Sequence, residues 1–434
     1  MESIIQTKSG ADESMRDEWL LPNGLRVVGE RLPNLRSVSI GAWMHVGSMM
    51  EAPSENGLSH FLEHMVLKGT EKRTARQISE EMDAVGGQLN AFTGRDCTCF
   101  YAKVIDEDLE LAVDILSDLV IHATMDETEL EKERGVILEE IAMDEDSPED
   151  LVHDLLQAAQ FGAQSPAQPI LGPADQIAAY TRDDLLRFRQ AHYAPKETVV
   201  ALAGNYDPEK ALRWVTQYFG GWENDIAPVT TPDWQVYTGQ HAIREKATEQ
   251  MHICLGFPGA AYATDEVYPL AVANNILGGA MSSRLFQRIR EELGLAYSVY
   301  SYPNTYKGVG TFCVYAGVNP KNAELVLTEI RAQLHRFVEE GITEKEFRDS
   351  VTQLRSGYLM GLESSGSRMQ GLGRSTLLRG RPTTNEETIA AIEAVTMADV
   401  MRVARRVLTC EPCIAIIGKG AEDIQLNAAE TATE

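Results

Sequence analysis

Hydrophobic residues alternate with small or polar residues near the start of the chain. Val38, Ile40, Ala42, Met44 and Val46 fall on one face at a period of two, which predicts a half-buried β-strand. Farther along, apolar periodicity predicts a helix over 57–68, with Asn56 as its N-cap and Gly69 as the residue that stops it. A second helix is predicted over 74–85, followed by a break at Gly86-Gly87 and a long strand over 88–104. Two further helices are predicted over 108–122 and 127–143.

The same order of elements recurs in the second half of the chain, at an offset of about 211 to 217 residues. Positions 40–46 then fall on 251–257, which again alternate as a strand. Tyr101 meets Tyr315, and Glu129 meets Glu346. Three segments in one order with nearly constant spacing indicate a duplicated domain.

The junction between the two copies has the composition of a linker, with Gly220-Gly221 followed by Pro228, Thr230 and Pro232. A chain of 434 residues also exceeds the roughly 250 to 300 residues at which a single core stops growing. We predict an N-terminal domain over 1–222, a linker over 223–243 and a homologous C-terminal domain over 244–434. Because helices mix with long alternating strands, the expected fold class is α+β, with each domain an antiparallel sheet covered by helices.

The net charge of −26 argues strongly against a nucleic-acid partner, which would require a basic face to displace counterions. It is compatible with basic peptide substrates, although a solvated acidic surface is the simpler interpretation. No run approaches the roughly 18 apolar residues of a membrane span, so no membrane insertion is expected. The segment Met1 to Lys8 lacks a basic region followed by an apolar core, and Asp12 and Glu13 argue against a transit peptide. A cytoplasmic location is the default expectation.

Six cysteines in this length are too few for a disulfide scaffold and suit a reducing compartment. Cys97 and Cys99 alternate along a predicted strand. Cys410 and Cys413 form a CxxC that could bind metal or cycle between redox states, but no second CxxC or CxxH accompanies it. Structural thiols are the expected interpretation, and any further role of Cys410 and Cys413 stays open.

Chemistry-bearing residues concentrate in the predicted helix over 57–68. His60 and His64 are four residues apart, so a helix directs both imidazoles to one side, and Glu63 lies beside them. The segment reads HxxEH, the inversion of the HExxH arrangement in which two histidines bind zinc and a glutamate polarises the attacking water. Leu58, Phe61, Leu62 and Met65 form a separate apolar stripe for packing.

A hydrolytic zinc site normally has a third protein ligand and leaves a fourth position for water. The acidic helix predicted over 127–143 is the best source. Glu133 and Glu140 lie two helical turns apart on one face, so one could ligate the metal while the other supports a ligand or the substrate. Periodicity does not choose between them.

Together with these residues, three segments carry a resemblance to the pitrilysin family of inverted zinc peptidases, and within it to the branch of mitochondrial processing peptidase and its bacterial homologues. The resemblance covers nearly the whole chain. The segments are Gly57 to Met65 with HxxEH, Gly87 to Thr93 (GQLNAFT), and Glu133 to Glu140 (ERGVILEE). The resemblance implies that Glu140 is the third zinc ligand and that Glu133 is a supporting catalytic residue.

In the second half, the segment from Ser283 to Tyr297 resembles the substrate-binding segment of the family. The resemblance implies that Arg290 and Tyr297 contact substrate or the developing oxyanion, to which a guanidinium and a phenol can both donate hydrogen bonds. The strand around Asn90 and Ala91 would bind substrate by pairing with it as an added β-strand.

The repeat bears on the number of metal sites. At the offset of about 211, His60, Glu63 and His64 correspond to Ala271, Asn274 and Asn275. The second copy has therefore lost the metal-ligating side chains of the HxxEH segment. One Zn²⁺ per chain, in the N-terminal domain, is therefore expected. The family's paired subunits imply a homodimer, or a heterodimer with a related subunit, that encloses a chamber, where Arg290 and Tyr297 could act in cis or in trans.

The predicted function is that of a zinc metalloendopeptidase hydrolysing extended peptides or presequence-like segments inside a chamber. Glu63 would take a proton from the attacking water and deliver it to the leaving amine. A noncatalytic structural or assembly subunit of the same family is the alternative, which the retained HxxEH disfavours. A zinc hydrolase acting on other substrates is a third hypothesis. The physiological substrate and cleavage preference are not predicted.

Overall fold

A computed structural model describes residues 15–426, so the N-terminal segment considered above lies outside the described residues. The strands are β1 (Met15–Leu20), β2 (Arg26–Arg31), β3 (Ser37–Met44), β4 (Gln88–Thr93), β5 (Thr98–Ile105), β6 (Thr198–Gly204), β7 (His241–Glu245), β8 (Met251–Pro258), β9 (Ala296–Tyr306), β10 (Val309–Val318) and β11 (Cys413–Gly418). The α-helices are α1 (Leu58–Val66), α2 (Ala75–Ala84), α3 (Leu109–His122), α4 (Glu127–Asp146), α5 (Pro148–Phe161), α6 (Ala174–Ala179), α7 (Arg182–His192), α8 (Pro208–Phe219), α9 (Val267–Asn274), α10 (Ala323–Glu340), α11 (Glu344–Gly361), α12 (Ser365–Arg379), α13 (Asn385–Glu393) and α14 (Met397–Leu408).

The chain forms two compact units. Unit 1 comprises the residues up to Ile141, Pro169–Thr230 and Leu359–Thr384, and unit 2 comprises Ala142–Gln168, Thr231–Tyr358 and the residues from Asn385 onward. Each unit therefore includes a helical segment that lies outside its own half of the sequence. The division at 1–222, 223–243 and 244–434 stays a prediction about the duplication.

The sheet of unit 1 has the order β1-β2-β6-β3-β5-β4. Its pairs are antiparallel except β2 with β6, which run parallel. The expectation of a purely antiparallel sheet is therefore corrected at this pair, while the α+β class holds. In the centre, Val38, Ile40, Ala42 and Met44 of β3 point into a core shared with α1 and α3.

The prediction that β3 is half-buried is wrong, because α12 covers its second face. Ser39 and Trp43 point toward α12: the hydroxyls of Ser39 and Ser365 lie 2.9 Å apart, and the Trp43 indole N–H donates to the Met369 sulfur at 3.4 Å. Trp43 is 2% exposed. Helix α12 lies more than 300 positions later in the chain, and alternation within β3 carries no information about it.

The N-terminus of α1 also differs from the prediction. The N-cap is Gly57, with a φ of 92° in the left-handed region that favours glycine, and Asn56 instead donates to the Glu51 carboxylate. Glu51 also accepts hydrogen bonds from the backbone N–H groups of Gly57 and Ser59, at 2.9 and 2.7 Å. A buried carboxylate thus satisfies the first N–H groups of the helix, where negative charge is favourable. The helix ends at Val66, before Gly69.

The long strand predicted over 88–104 is two strands. After Thr93 the chain turns through residues 94–97, where the N–H of Gly94 donates to the Cys97 carbonyl at 2.8 Å. Strands β4 and β5 then pair as an antiparallel hairpin, with Thr93 opposite Thr98. Apolar periodicity continues through both strands, which is why the pattern does not show the turn. The hairpin places β4 at the edge of the sheet.

Unit 2 repeats much of this arrangement. Its sheet has the order β7-β11-β8-β10-β9, with β11 and β7 parallel. Met251, Ile253, Leu255 and Phe257 of β8 point into a core with α10 and α14. On the opposite face, residues of α5 pack against β8, β10 and β11. Within residues 15–426, no helix combines the length and apolar character needed to cross a membrane.

Candidate metal centre

Helix α1 separates a packing face from a polar face. Leu58, Phe61, Leu62 and Met65 are buried in the core of unit 1, and burying each such side chain contributes about 1.5 to 3 kcal/mol. This packing holds His60 and His64 on the polar side, with 13% and 18% of their side chains exposed. Their ring centroids lie 4.6 Å apart.

Helix α4 brings a carboxylate to the two imidazoles. An oxygen of Glu140 lies 3.7 Å from Nε2 of His60 and 3.6 Å from Nε2 of His64. The helix is held in place by Arg134, which donates to the backbone carbonyls of Ile177 and Tyr180 and lies over the Phe61 ring. The Phe61 ring is also buried in the core beneath α1, so one side chain packs α1 against the core and contacts α4.

Glu133 occupies a different position from Glu140. One of its oxygens lies 3.1 Å from Nδ1 of His64, and the other accepts a hydrogen bond from Lys68 at 2.7 Å. A carboxylate at Nδ1 favours the tautomer with its proton on Nδ1 and the lone pair on Nε2. The Nε2 atom of His64 is the one that faces Glu140. The structure thus separates two glutamates that helical periodicity could not distinguish.

The Glu63 carboxylate accepts a hydrogen bond from the Thr93 hydroxyl at 2.6 Å. The same hydroxyl also contacts the Ser59 carbonyl at 3.4 Å, so Thr93 joins the end of β4 to α1. Burial raises the pKa of Glu63, the Thr93 hydrogen bond and His64 oppose this effect, and the charge of Glu140 adds to it. A raised pKa brings a carboxylate closer to the neutral range in which a general base works best.

Burial and the neighbouring His64 lower the pKa of His60 to about 4, so its imidazole is neutral at pH 7. Neutral imidazole is the form that ligates metal. Ligand atoms of His60, His64 and Glu140 all lie within 4.8 Å of one another. Tetrahedral zinc with bonds of roughly 2.0 to 2.1 Å places its nitrogen and oxygen ligands about 3.3 Å apart. The observed 3.6 and 3.7 Å are close to this spacing, so the donor set fits Zn²⁺.

The residues expected to bind substrate divide between the two units. In unit 1, Asn90 is exposed and Ala91 is half-buried, and both lie on the edge strand β4. In unit 2, the Arg290 guanidinium lies 4.8 Å from the centre of the Tyr297 ring and 4.7 Å from that of Phe286. Tyr297 is 77% exposed. The half-buried Arg290 and the exposed Tyr297 therefore form a cation–π pair.

The degenerate copy of the HxxEH segment in unit 2 makes ordinary hydrogen bonds. Asn274 accepts from the Ser301 hydroxyl at 2.7 Å, and Asn275 donates to the Gln353 side chain at 3.1 Å.

The two thiols of the CxxC contact backbone carbonyls. Cys410 donates to Arg406, and the buried Cys413 donates to Tyr237. The six cysteines are all free thiols.

Two neighbours of the centre were not predicted from the sequence, namely Thr93 and Lys68. Thr93 ends the segment GQLNAFT, which carries part of the family resemblance, but its contact with Glu63 depends on the hairpin. Lys68 lies four residues after His64, just beyond the C-terminal end of α1. Nothing in the sequence pairs it with Glu133. Both contacts join residues at least 30 positions apart.

Two family models match the chain. The model described as "Insulinase (Peptidase family M16)" matches residues 26–174, and the model described as "Peptidase M16 inactive domain" matches residues 179–354. An "uncharacterized zinc protease" of Bacillus subtilis, YmxG, is 42% identical over 403 residues, covering 93% of this chain and 98% of the relative. A protein of the same description from Streptomyces coelicolor is 43% identical over 409 residues, covering 92% and 88%.

Solved structures show the same fold. A protease from Helicobacter pylori superposes with a TM-score of 0.89 at 23% identity, covering 93% of this chain and 99% of that chain. A "peptidase M16 inactive domain" from Pseudomonas fluorescens superposes with a TM-score of 0.87 at 19% identity, covering 93% and 98%. The assignment to the processing-peptidase branch stays a prediction. On the sequence relatives and the two matching models, the chain belongs to peptidase family M16, the pitrilysin or insulinase family of zinc peptidases.

Proposed function

We propose that the protein is a zinc-dependent endopeptidase that hydrolyses extended peptides. The observation that carries this proposal is the convergence of His60, His64 and Glu140 on one point, with the Glu63 carboxylate beside them. Zinc protease is also the description of the relatives that match along nearly the whole chain. Zn²⁺ held by these three residues would supply a Lewis acid that polarises the substrate carbonyl and acidifies water.

The chain's own residues would then perform the proton transfers. Glu63 accepts the proton of the attacking water and later gives it to the leaving amine. Thr93 holds the Glu63 carboxylate through the hydrogen bond of 2.6 Å, leaving the second oxygen for the proton. Glu133 acts through His64, whose ring it orients, and is thus a positioning residue.

Substrate would bind along β4. This strand lies at the edge of the sheet, so its outer N–H and C=O groups can pair with an extended peptide near Asn90 and Ala91, as strands add to other exposed edges. Main-chain hydrogen bonds do not depend on the identity of the side chains. The site would therefore accept unfolded or presequence-like segments of varied sequence. In unit 2, Arg290 and Tyr297 would donate hydrogen bonds to substrate carbonyls.

The Glu63→Gln variant tests the proposal. It should keep the zinc content of the parent and lose cleavage of an unstructured peptide library by at least about a hundredfold, since general-base catalysis contributes roughly 10² to 10⁴. Glu139→Gln, an exposed neighbour of Glu140 on α4, is the matched control and should cleave normally. Absence of bound metal in the parent protein would support a noncatalytic assembly subunit, whereas zinc binding without peptide cleavage would support a hydrolase of other substrates.

We further propose a cytoplasmic protein that works as a dimer. Free thiols suit a reducing compartment, and the paired subunits of the resembling family motivate the dimer. Mixing inactive Glu63→Gln chains with inactive Arg290→Ala chains should restore activity if Arg290 acts in trans. Absence of recovery in a verified mixed dimer would contradict shared sites, and activity of a verified monomer would contradict the dimer.

A further inference from the structure

A second group of side chains that could bind a metal lies in unit 2. It is distant in sequence from the HxxEH helix and contains thiols instead of carboxylates. It consists of His153 from α5, Cys254 from β8 and Cys313 from β10, whose ligand atoms all lie within 4.8 Å of one another. The two thiols are buried, at 0% and 1% exposure, and the imidazole is half-buried.

The register of the sheet explains why the thiols meet. Cys254 is opposite Tyr315 on the neighbouring strand, and Cys313 is opposite Gly256, so the cysteines are diagonal neighbours on one face. Diagonal neighbours have Cα atoms roughly 7 to 8 Å apart, which exceeds the roughly 6.8 Å that a disulfide spans. The thiols share a site without being placed for a disulfide.

Helix α5 approaches the sheet closely enough for His153 to reach both thiols. A Cβ at Gly256 would lie 2.7 Å from the Gln160 side chain and 2.8 Å from that of Leu156, so glycine at this point of β8 permits the approach. Nδ1 of His153 lies 3.5 Å from the Cys254 sulfur and 2.6 Å from the Tyr302 hydroxyl.

We propose that His153, Cys254 and Cys313 form a second metal site in this chain, selective for a thiophilic cation such as Zn²⁺. Tetrahedral zinc with Zn–S bonds of about 2.3 Å and Zn–N bonds of about 2.0 to 2.1 Å places sulfur and nitrogen about 3.6 Å apart, which matches the observed 3.5 Å. Two thiolates and one imidazole are soft and borderline ligands that suit zinc over magnesium or calcium. Each thiol releases its proton to solvent on binding.

The fourth position belongs to the Tyr302 hydroxyl or to a water that displaces it. Tyr302 is opposite Cys313 on the edge strand β9 and lies beside the His153 imidazole. The nearby His252 does not belong to this group of clustered ligand atoms, and its Nδ1 lies 2.8 Å from the Tyr315 hydroxyl. A metal held in this way would tie α5 to β8 and β10 in the interior of unit 2. This site would be additional to the one Zn²⁺ per chain that the HxxEH segment and its degenerate copy lead us to expect.

Zinc analysis of the full-length chain separates the two sites. In a His60→Ala/His64→Ala background, which removes two ligands of the first centre, we expect about one zinc ion per chain by mass spectrometry of metal content. Substitution of that zinc by Co²⁺ should give the near-ultraviolet absorption of cobalt bound to thiolate. Adding His153→Gln should weaken zinc binding by at least about tenfold while leaving both cysteines in place.

Further variants decide the assignment. Cys254→Ser/Cys313→Ser should abolish the cobalt–thiolate band, in the parent chain as well as in the background variant, whereas the control Cys410→Ser should keep it. The parent-chain measurement stays decisive if the background variant does not fold. The proposal is overturned if the parent shows no such band, if the double serine variant retains it, or if mass spectrometry finds a Cys254–Cys313 disulfide in protein purified without reductant.

Discussion

Replacing Glu133 by glutamine should weaken zinc binding at the HxxEH centre without removing a ligand. The carboxylate lies between two donors, with Nδ1 of His64 at 3.1 Å from one oxygen and the Lys68 ammonium at 2.7 Å from the other. Its side chain is 8% exposed, so water does not replace either contact easily. A carboxylate can accept from both donors, but an amide cannot.

The glutamine therefore has two orientations, and each one is unfavourable. If its oxygen faces His64, its NH₂ group faces the Lys68 ammonium, so two donors meet. If its oxygen faces Lys68, its NH₂ group donates to Nδ1 of His64, which moves the imidazole proton to Nε2, the atom that must bind zinc. Loss of such supporting contacts costs 10- to 100-fold in metal affinity, or about 1.4 to 2.8 kcal/mol.

Competition with a chromophoric chelator at neutral pH measures this affinity. Glu140→Gln should weaken zinc binding more than Glu133→Gln, and Glu139→Gln should leave it unchanged. The double variant Glu133→Gln/Lys68→Met should recover part of the affinity, because it removes the competing donor. Unchanged affinity in Glu133→Gln, or a loss as large as that of Glu140→Gln, would refute the division of roles between the two glutamates.

Three further outcomes are expected. Thr93→Val removes a hydrogen bond that lowers the pKa of Glu63, so the acid limb of the kcat/KM profile should move to higher pH; an unmoved limb would contradict this role. Because burial and His64 lower the pKa of His60 from 6.5 to about 4, the zinc-free protein should lose about 3 kcal/mol of unfolding free energy as pH falls between these values, since only the unfolded state binds the proton. Chemical denaturation over this pH range should show that the His60→Gln variant loses less unfolding free energy than the parent protein. Phe61→Ala, at a fully buried position, should cost about 3 to 5 kcal/mol in urea unfolding, and a cost below 1 kcal/mol would contradict the packing described for α1.

Features that depend on local periodicity were predictable. The spacing of His60 and His64 places both on one side of a helix, and the apolar stripe through Phe61 and Leu62 predicts which side is buried. The duplicated order of elements was also readable, because α3 and α4 follow β5 as α10 and α11 follow β10. These predictions use neighbours within a few turns of one element.

Features that depend on distant residues were not predictable. The capping role of Glu51 requires the chain to fold back onto the start of α1, and no spacing rule pairs a glutamate with Gly57. The choice between Glu133 and Glu140 depends on where α4 packs, so only the family resemblance favoured one. The ligands of the cysteine cluster lie about 60 to 160 positions apart in sequence, beyond any local metal-binding motif.

The late position of α12 in the sequence determines when the sheet of unit 1 can be fully covered during folding. During synthesis from the N-terminus, β3 and its neighbours emerge long before Ser365–Arg379, so one face of the sheet, with Trp43, has no cover until most of the chain has been made. A fragment ending at residue 230 would keep the HxxEH helix and Glu140 but expose that apolar face. We therefore expect that the N-terminal half does not fold as a self-sufficient domain and that truncation at residue 230 yields an aggregation-prone fragment rather than a minimal peptidase.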